Sequence, residues 1–211
     1  MERMRLFGEP GWGSTIVEVQ LDWYGIEYDF ERVGDLFKSA EARQRLAGVN
    51  PLAQIPTLVF ADGMVMTESA AITLYLADLT GQDSLVPGGK DPQRSAFLRW
   101  LVFLVANVYP TYTYADDPSR FVDADEPQRA FKARVSAYAE KLYSLLEGTA
   151  GSPWFLGERF SALDIYICAM SRWRPGRPWF ATNAPKLAGI ATRTEQVPQL
   201  EAVWRRNQLG G

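Results

Sequence analysis

The sequence predicts a chain in two parts, a small α/β unit of order β-α-β-α-β-β-α followed by an all-helical domain. Three observations carry this reading. Short β-branched runs alternate with helical spacing over the first part of the chain. A glycine- and proline-rich stretch, TGQDSLVPGGKDPQ at 80–93, then interrupts the pattern. Beyond it no convincing strand pattern returns. The boundaries fall at residues 1–80 for the α/β domain, 81–92 for a linker and 93–211 for the helical domain.

The elements follow in order. RLFG, ending at Gly8, reads as a first strand that runs into the loop GEPGWG. Ser14 is placed to cap the helix behind that loop, because its hydroxyl can accept a first-turn amide. Val17, Leu21 and Tyr24 recur at i, i+4 and i+7 and mark its buried face, and Gly25 stops it. IEYDFERV alternates apolar and polar residues as a second strand does. A charged, partly helical segment leads to NPLAQIPTLVF, the turn ADG and MVMTE, which form a hairpin. Ser69 caps a third helix with Ile72, Leu76 and Leu79 on its inner face.

In the second part, FLRWLVFLVANVYPTYTY at 97–114 is a long apolar helix that Pro110 should kink or end. A charged amphipathic helix runs from Glu126 to Leu146. Ser161-Ala162-Leu163-Asp164 has the spacing of a capping box and opens a buried, structural helix. Two more helices lie near 186–196 and 198–207.

Composition narrows the chemistry. Of 211 residues 47% are apolar, an ordinary share for a domain with a real core, and the net charge of −3 gives no basic face for nucleic acid. The first twenty residues lack a secretory pattern, and no apolar run approaches the ~20 residues of a membrane span, so a cytoplasmic location is expected. The lone Cys168 excludes an internal disulfide framework and reads as buried filler. Histidine is absent, which removes the commonest general base, the Ser-His-Asp and Cys-His nucleophiles and the usual zinc ligands. No metal site is expected. The reactive group has to come from hydroxyls, carboxylates, main-chain amides or a bound reagent.

Three motifs in this order resemble the cytosolic glutathione transferase family, of bacterial type, over nearly the whole chain: NPLAQIPTL, TESAAITLYL and ERFSALDIYI. The resemblance implies a thioredoxin-like first domain, an all-helical second domain, glutathione as cosubstrate and a homodimer. It implies that Ile55, before a cis Pro56, offers its amide and carbonyl to the extended tripeptide, as a free strand edge does. Glu68 would pair with the glutamyl ammonium. The Ser69 hydroxyl and the helix N-terminal amides would receive its carboxylate. Gln54 would touch the same glutamyl part, and Lys38, Arg43 and Arg45 are candidates for the glycyl carboxylate.

The family places the glutathione sulfur at the loop after the first strand, where one hydrogen-bond donor holds it as thiolate. This sequence departs from the usual patterns. The position of the familiar tyrosine falls on Phe7, that of the serine near Gly11 and that of the cysteine near Gly13. Ser14 is the hydroxyl chosen here, with its own amide and that of Gly13 as further donors. If Ser14 is only a cap, the glycine-rich loop still lets main-chain amides approach the sulfur. The resemblance puts a hydrophobic electrophile between the domains, with Trp12, Trp100, Tyr109 and Tyr112 as candidate walls. Conjugation to that electrophile, a detoxifying reaction, is the leading reading. Glutathione-dependent isomerisation or reduction, and a non-catalytic binding or interaction protein, remain as alternatives.

Overall fold

The computed structural model describes residues 3–207. By contact density the chain divides into one unit running up to Val86 that also takes in the segment from Thr194 onward, and a second unit, Pro87–Arg193.

The first unit holds a four-stranded sheet in the order β2-β1-β3-β4. Strand β1 (Met4–Gly8) pairs parallel with β2 (Tyr28–Arg32) and antiparallel with β3 (Thr57–Val59), which pairs antiparallel with β4 (Val65–Met66). Leu6 faces Phe30 on one side and Leu58 on the other, and both Leu6 and Leu58 are fully buried. Helices α1 (Ser14–Tyr24), α2 (Ala40–Ala47) and α3 (Ser69–Thr80) complete the expected βαβαββα order. Gly25 ends α1 in the left-handed conformation at φ 68°, as its place in the sequence predicts. The Ser39 hydroxyl caps α2 by accepting from the Ala42 amide.

Helix α1 is buried on more than the expected Val17–Leu21–Tyr24 face, since every residue from Ser14 to Leu21 is buried. Its polar face, Thr15 and Glu18, lies under the C-terminal segment, where α10 (Glu201–Arg206) ends. Arg206 pairs with Glu18 and Asp22, and Asn207 hydrogen-bonds Glu18. The sequence boundary assigned everything beyond residue 93 to the helical domain. The segment from Thr194 instead returns to the first unit, because its cation and amide neutralise and bond the buried acid on α1.

The second unit is helical. Helix α4 (Arg94–Phe103) passes through a π-helical turn, Leu104–Val108, straight into α5 (Tyr109–Asp116). Pro110 therefore does not end the helix. A proline lacks an N–H and its ring crowds the carbonyl four residues back, and the wider turn before it, with the Tyr109 amide bonded to Leu104 O, absorbs the conflict. Helix α6 (Asp125–Thr149) covers the predicted 126–146 segment. Helices α7 (Ala162–Met170), α8 (Arg177–Asn183) and α9 (Pro185–Glu195) follow, α8 being absent from the sequence reading. Phe97, Leu101, Tyr143, Ile165, Tyr166 and Phe180 make the core. Cys168 is fully buried within it.

The capping box at α7 is formed. Asp164, wholly buried, accepts from the amides of Ser161 and Phe155, both at 2.8 Å, and from the Ser161 hydroxyl at 3.2 Å. Burial pushes its carboxyl up to about 7, the hydrogen bonds offsetting only part of that. A folded-state value above the unfolded ~3.9 means proton uptake on folding, so this group's share of stability falls as pH rises from about 4 to about 7. Urea unfolding across that range should show the slope flattened in Asp164→Asn. In Asp164→Ala the stranded amides should cost about 2–3 kcal/mol.

Candidate functional site

The turn before β3 is built by one side chain. Asn50 donates from Nδ2 to Gln54 O and to Thr57 Oγ1, both at 3.0 Å, and accepts from the Leu52 amide at 3.1 Å. Thr57 Oγ1 in turn donates to Gln54 O at 2.8 Å. These bonds fix the main chain on both sides of the Ile55–Pro56 peptide, which is cis. Ile55 is half-buried, and its side chain packs on the small core of Val33, Leu36, Ala42 and Leu46. Its own N–H and C=O have no partner among the described residues. A peptide edge is thus presented with nothing bonded to it, and the Gln54 side chain stands exposed beside it.

At the start of α3, Glu68 occupies the N-cap position with φ 63° and ψ 101°, a conformation that costs a residue with a Cβ of order 1–3 kcal/mol. Its carboxylate is exposed and makes no capping bond. Ser69 begins the helix and is buried, and the first α3 amide to find an acceptor is that of Ile72, bonded to Glu68 O. The amides of Ser69 and Ala70 and the Ser69 hydroxyl are unengaged among the described residues. An outward acid, a hydroxyl and free helix amides stand together, suited to a group that carries both a cation and an anion.

The glycine loop differs from the expectation. Ser14 is the first residue of α1 rather than its cap, Gly13 occupying the cap position. The Ser14 hydroxyl is fully buried and turned back on Glu9, accepting from its amide and donating to its carbonyl, each at 3.1 Å. Gly8 makes room for it, since a Cβ there would sit 2.4 Å from Ser14 Oγ. A hydroxyl so committed is not offered to a ligand. The loop amides are mostly taken: Glu9 by Ser14 Oγ, Gly11 by Asn207 and Trp12 by Glu9 O. Those of Gly13 and Ser14 have no acceptor among the described residues. Glu9, buried, is held by Arg32 and by the Gly34 amide at 3.0 Å, so its side chain also serves the loop's shape. Trp12 lies on the same small core as Ile55 and meets the Phe37 ring at 5.1 Å.

Of the cations considered for a glycyl carboxylate, Arg43 spends its guanidinium on Leu36 O and Phe37 O, and Lys38 pairs with Asp35. Arg45 is exposed.

In the helical unit, Trp100 and Tyr112 are core residues. Trp100 packs edge-on against Phe103 and Phe155, and the Tyr112 hydroxyl meets those of Tyr143 and the carbonyl of Arg174. Tyr109 packs on Tyr112 and Trp173. Its hydroxyl is enclosed with no hydrogen-bond partner among the described residues, and burial holds its pKa well above the usual phenol range.

Asn50, Glu9 and Asn207 were not singled out from the sequence, although Asn50 opens the quoted NPLAQIPTL motif. Its signal was present as an asparagine three residues after a helix and before an X-Pro pair. Nothing local marked Asn207. Among the described residues no group of three or more His, Cys, Asp or Glu could hold a metal ion, and no helix is long and apolar enough to cross a membrane.

Residues 14–79 match the family model for the glutathione S-transferase N-terminal domain. The chain is 39% identical over 207 residues to the GST-like protein YncG of Escherichia coli K12, covering 98% of this chain and 99% of that one. It is 29% identical over 199 residues to the glutathione S-transferase GstA of Escherichia coli O157:H7, covering 94% and 96%. Among solved structures, a glutathione transferase homologue from Sulfitobacter with bound glutathione superposes with a TM-score of 0.87 at 22% identity, covering 97% of this chain and 98% of that one. With a fold, a cis Ile55–Pro56 turn and an N-terminal α3 site of this kind, the chain belongs to the glutathione S-transferase family.

Proposed function

We propose that the protein is a glutathione transferase that binds the tripeptide along Ile55 and at the start of α3 and presents its sulfur as a thiolate to an apolar electrophile. The observation that carries this reading is the cis Ile55–Pro56 turn with an unbonded Ile55 main chain, on the same unit as the strained, outward Glu68. Glu68 takes the glutamyl ammonium, while Ser69 and the first α3 amides take the carboxylate. Gln54 lies next to Ile55 and touches the glutamyl part.

The thiolate is stabilised by main chain. The free amides of Gly13 and Ser14 stand at the positive end of α1, and together they supply what a tyrosine or serine hydroxyl supplies elsewhere. A thiol of pKa ~8.5 is only about 3% ionised at pH 7, so lowering it by one pH unit, worth ~1.4 kcal/mol, multiplies the nucleophile several-fold. No histidine is required, because the cosubstrate brings the attacking atom. Tyr109 belongs to the helical unit, and its hydroxyl is enclosed, with no hydrogen-bond partner among the described residues. Trp12 adds apolar surface on the glutathione-binding unit. The homodimer is carried over from the family resemblance alone.

A binding-only protein is the second reading, favoured by the inward-turned Ser14 hydroxyl. Thiolate absorbance at 240 nm decides between them: a bound thiol titrating below ~8.5 supports the enzyme, and one titrating at the free value supports the binding protein.

Three variants test the residue roles. In Ser14→Ala the bound thiol should keep its lowered pKa, because the amides remain, while thermal stability falls by about 1–3 kcal/mol as the Glu9 amide and carbonyl lose their partner. A thiol that returns to the free value in a folded Ser14→Ala protein would restore the hydroxyl as the donor. Glu68→Gln should weaken glutathione binding about tenfold by calorimetry, as expected for one charge-assisted bond at an exposed site. Glu68→Gly should weaken it at least as much without lowering the melting temperature, because glycine relieves the φ 63° strain.

A further inference from the structure

The glycine loop is tied from outside by a single carboxamide. Asn207 follows α10, is 1% exposed, and its Oδ1 accepts from the Gly11 amide at 3.1 Å and from Thr15 Oγ1 at 2.7 Å. Its Nδ2 donates to Glu18 Oε2 at 2.7 Å and to Val203 O at 2.9 Å. The four bonds leave the amide one orientation, oxygen toward the loop and nitrogen toward the acid and the carbonyl. Glu18 is held in its own place by Tyr28 and by Arg206, each at 3.1 Å.

The two groups that Asn207 grips bracket Trp12, Gly13 and Ser14. One end, Gly11, has φ +79°, and a Cβ there would lie 3.4 Å from Asn207 O, so the chain uses its most freely rotating residue at a point fixed from outside. The other end, Thr15, is fully buried in the first turn of α1. The amides of Gly13 and Ser14, the loop amides with no acceptor among the described residues, lie within this bracket. Donors aimed before the reaction stabilise a developing or fixed negative charge far better than donors that have to reorganise.

We propose that Asn207 is a positioning residue for thiol ionisation: by clamping Gly11 and Thr15 it aims the Gly13 and Ser14 amides at the sulfur of bound glutathione. This rests on the thiolate reading above. Asn207 touches no substrate, and its effect passes through the loop. Because the glutamyl and cysteinyl main-chain contacts belong to α3 and Ile55, loss of the clamp should change how acidic the thiol is and hardly change how tightly the peptide is held.

The test uses the full-length protein with glutathione and a chlorodinitrobenzene electrophile. Thiolate absorbance at 240 nm is titrated against pH, and the glutathione dissociation constant is measured by calorimetry near pH 6. In Asn207→Ala the bound thiol pKa should rise by about one pH unit, giving about tenfold less thiolate below both values, with kcat falling in proportion and affinity within about threefold. Thr15→Val, which keeps the side-chain shape and removes one donor, should move the pKa the same way by about half as much. The double variant should exceed Asn207→Ala alone by little, because both changes remove the same bond. An unchanged thiol pKa in folded Asn207→Ala overturns the proposal, as does loss of affinity in parallel with melting temperature. Should Asn207→Ala not fold, Thr15→Val decides by the same pKa criterion. If the unaltered protein binds no glutathione, it is the functional reading that fails. If it binds and ionises glutathione while the variants titrate identically, only the role of Asn207 fails.

Discussion

Asn50 commits its entire carboxamide to the turn that precedes β3, and the peptide edge at Ile55 exists because of it. Both its donor hydrogens are directed at residues 54 and 57, and its oxygen holds residue 52. Without those bonds the segment from Asn50 to Thr57 would hold buried polar atoms lacking partners and a main chain free to pair elsewhere. The result is a fixed stretch in which the Ile55 main chain has no partner among the described residues. Exposed main-chain N–H and C=O groups are obligatory hydrogen-bonding groups, and a fold that leaves some open has to satisfy all their neighbours.

The same device recurs at the glycine loop. Glu9 takes Ser14 and Trp12 with its main chain and Arg32 and Gly34 with its carboxylate, and Asn207 takes Gly11 and Thr15. Each hub is a buried polar side chain whose bonds all go to the protein. Such a group would be costly if any partner were missing, and fully satisfied it fixes one conformation. The acids among them are neutralised from the surface: the Arg32 side chain is largely exposed while Glu9 is not, and Arg206 is half exposed while Glu18 is buried. Long cationic stems let the charge remain near water while the carboxylate stays inside.

This division explains what the sequence disclosed. The βαβαββα order, the Gly25 stop, the Asp164 capping box and the NPLAQIPTL and TESAAITLYL motifs were legible because each is written in neighbouring residues. Local chemistry also suggested a cap at Ser14, and there it misled. A serine before an apolar helix has the same appearance whether its oxygen faces a helix amide or turns back to the preceding loop, and only the Gly8 vacancy beneath it distinguishes the two. Of the two outcomes expected at Pro110, a kink or an end, the end does not occur, because the segment before it widens into a π-helical turn. The return of the segment from Thr194 to the first unit was not legible, since the acid on α1 and its partners, the last residue of α10 and the one after it, lie more than 180 residues apart.

The proposed recognition through main chain would also account for the departures at the thiol loop. Where a tyrosine or serine hydroxyl serves the sulfur, the side chain at that position is essential and the backbone around it is replaceable. In this chain the corresponding positions carry Phe7, Gly11 and Gly13, and the donors proposed above are amides present in any sequence. What the proposal makes indispensable is their aim, which resides in side chains bonded to the loop. Glycine at 11 serves that arrangement by its positive φ and by the closeness of Asn207, and glycine at 8 by the space it leaves for Ser14. On this proposal the chemical identity of the site moves outward, from the group that meets the sulfur to the side chains that orient the loop.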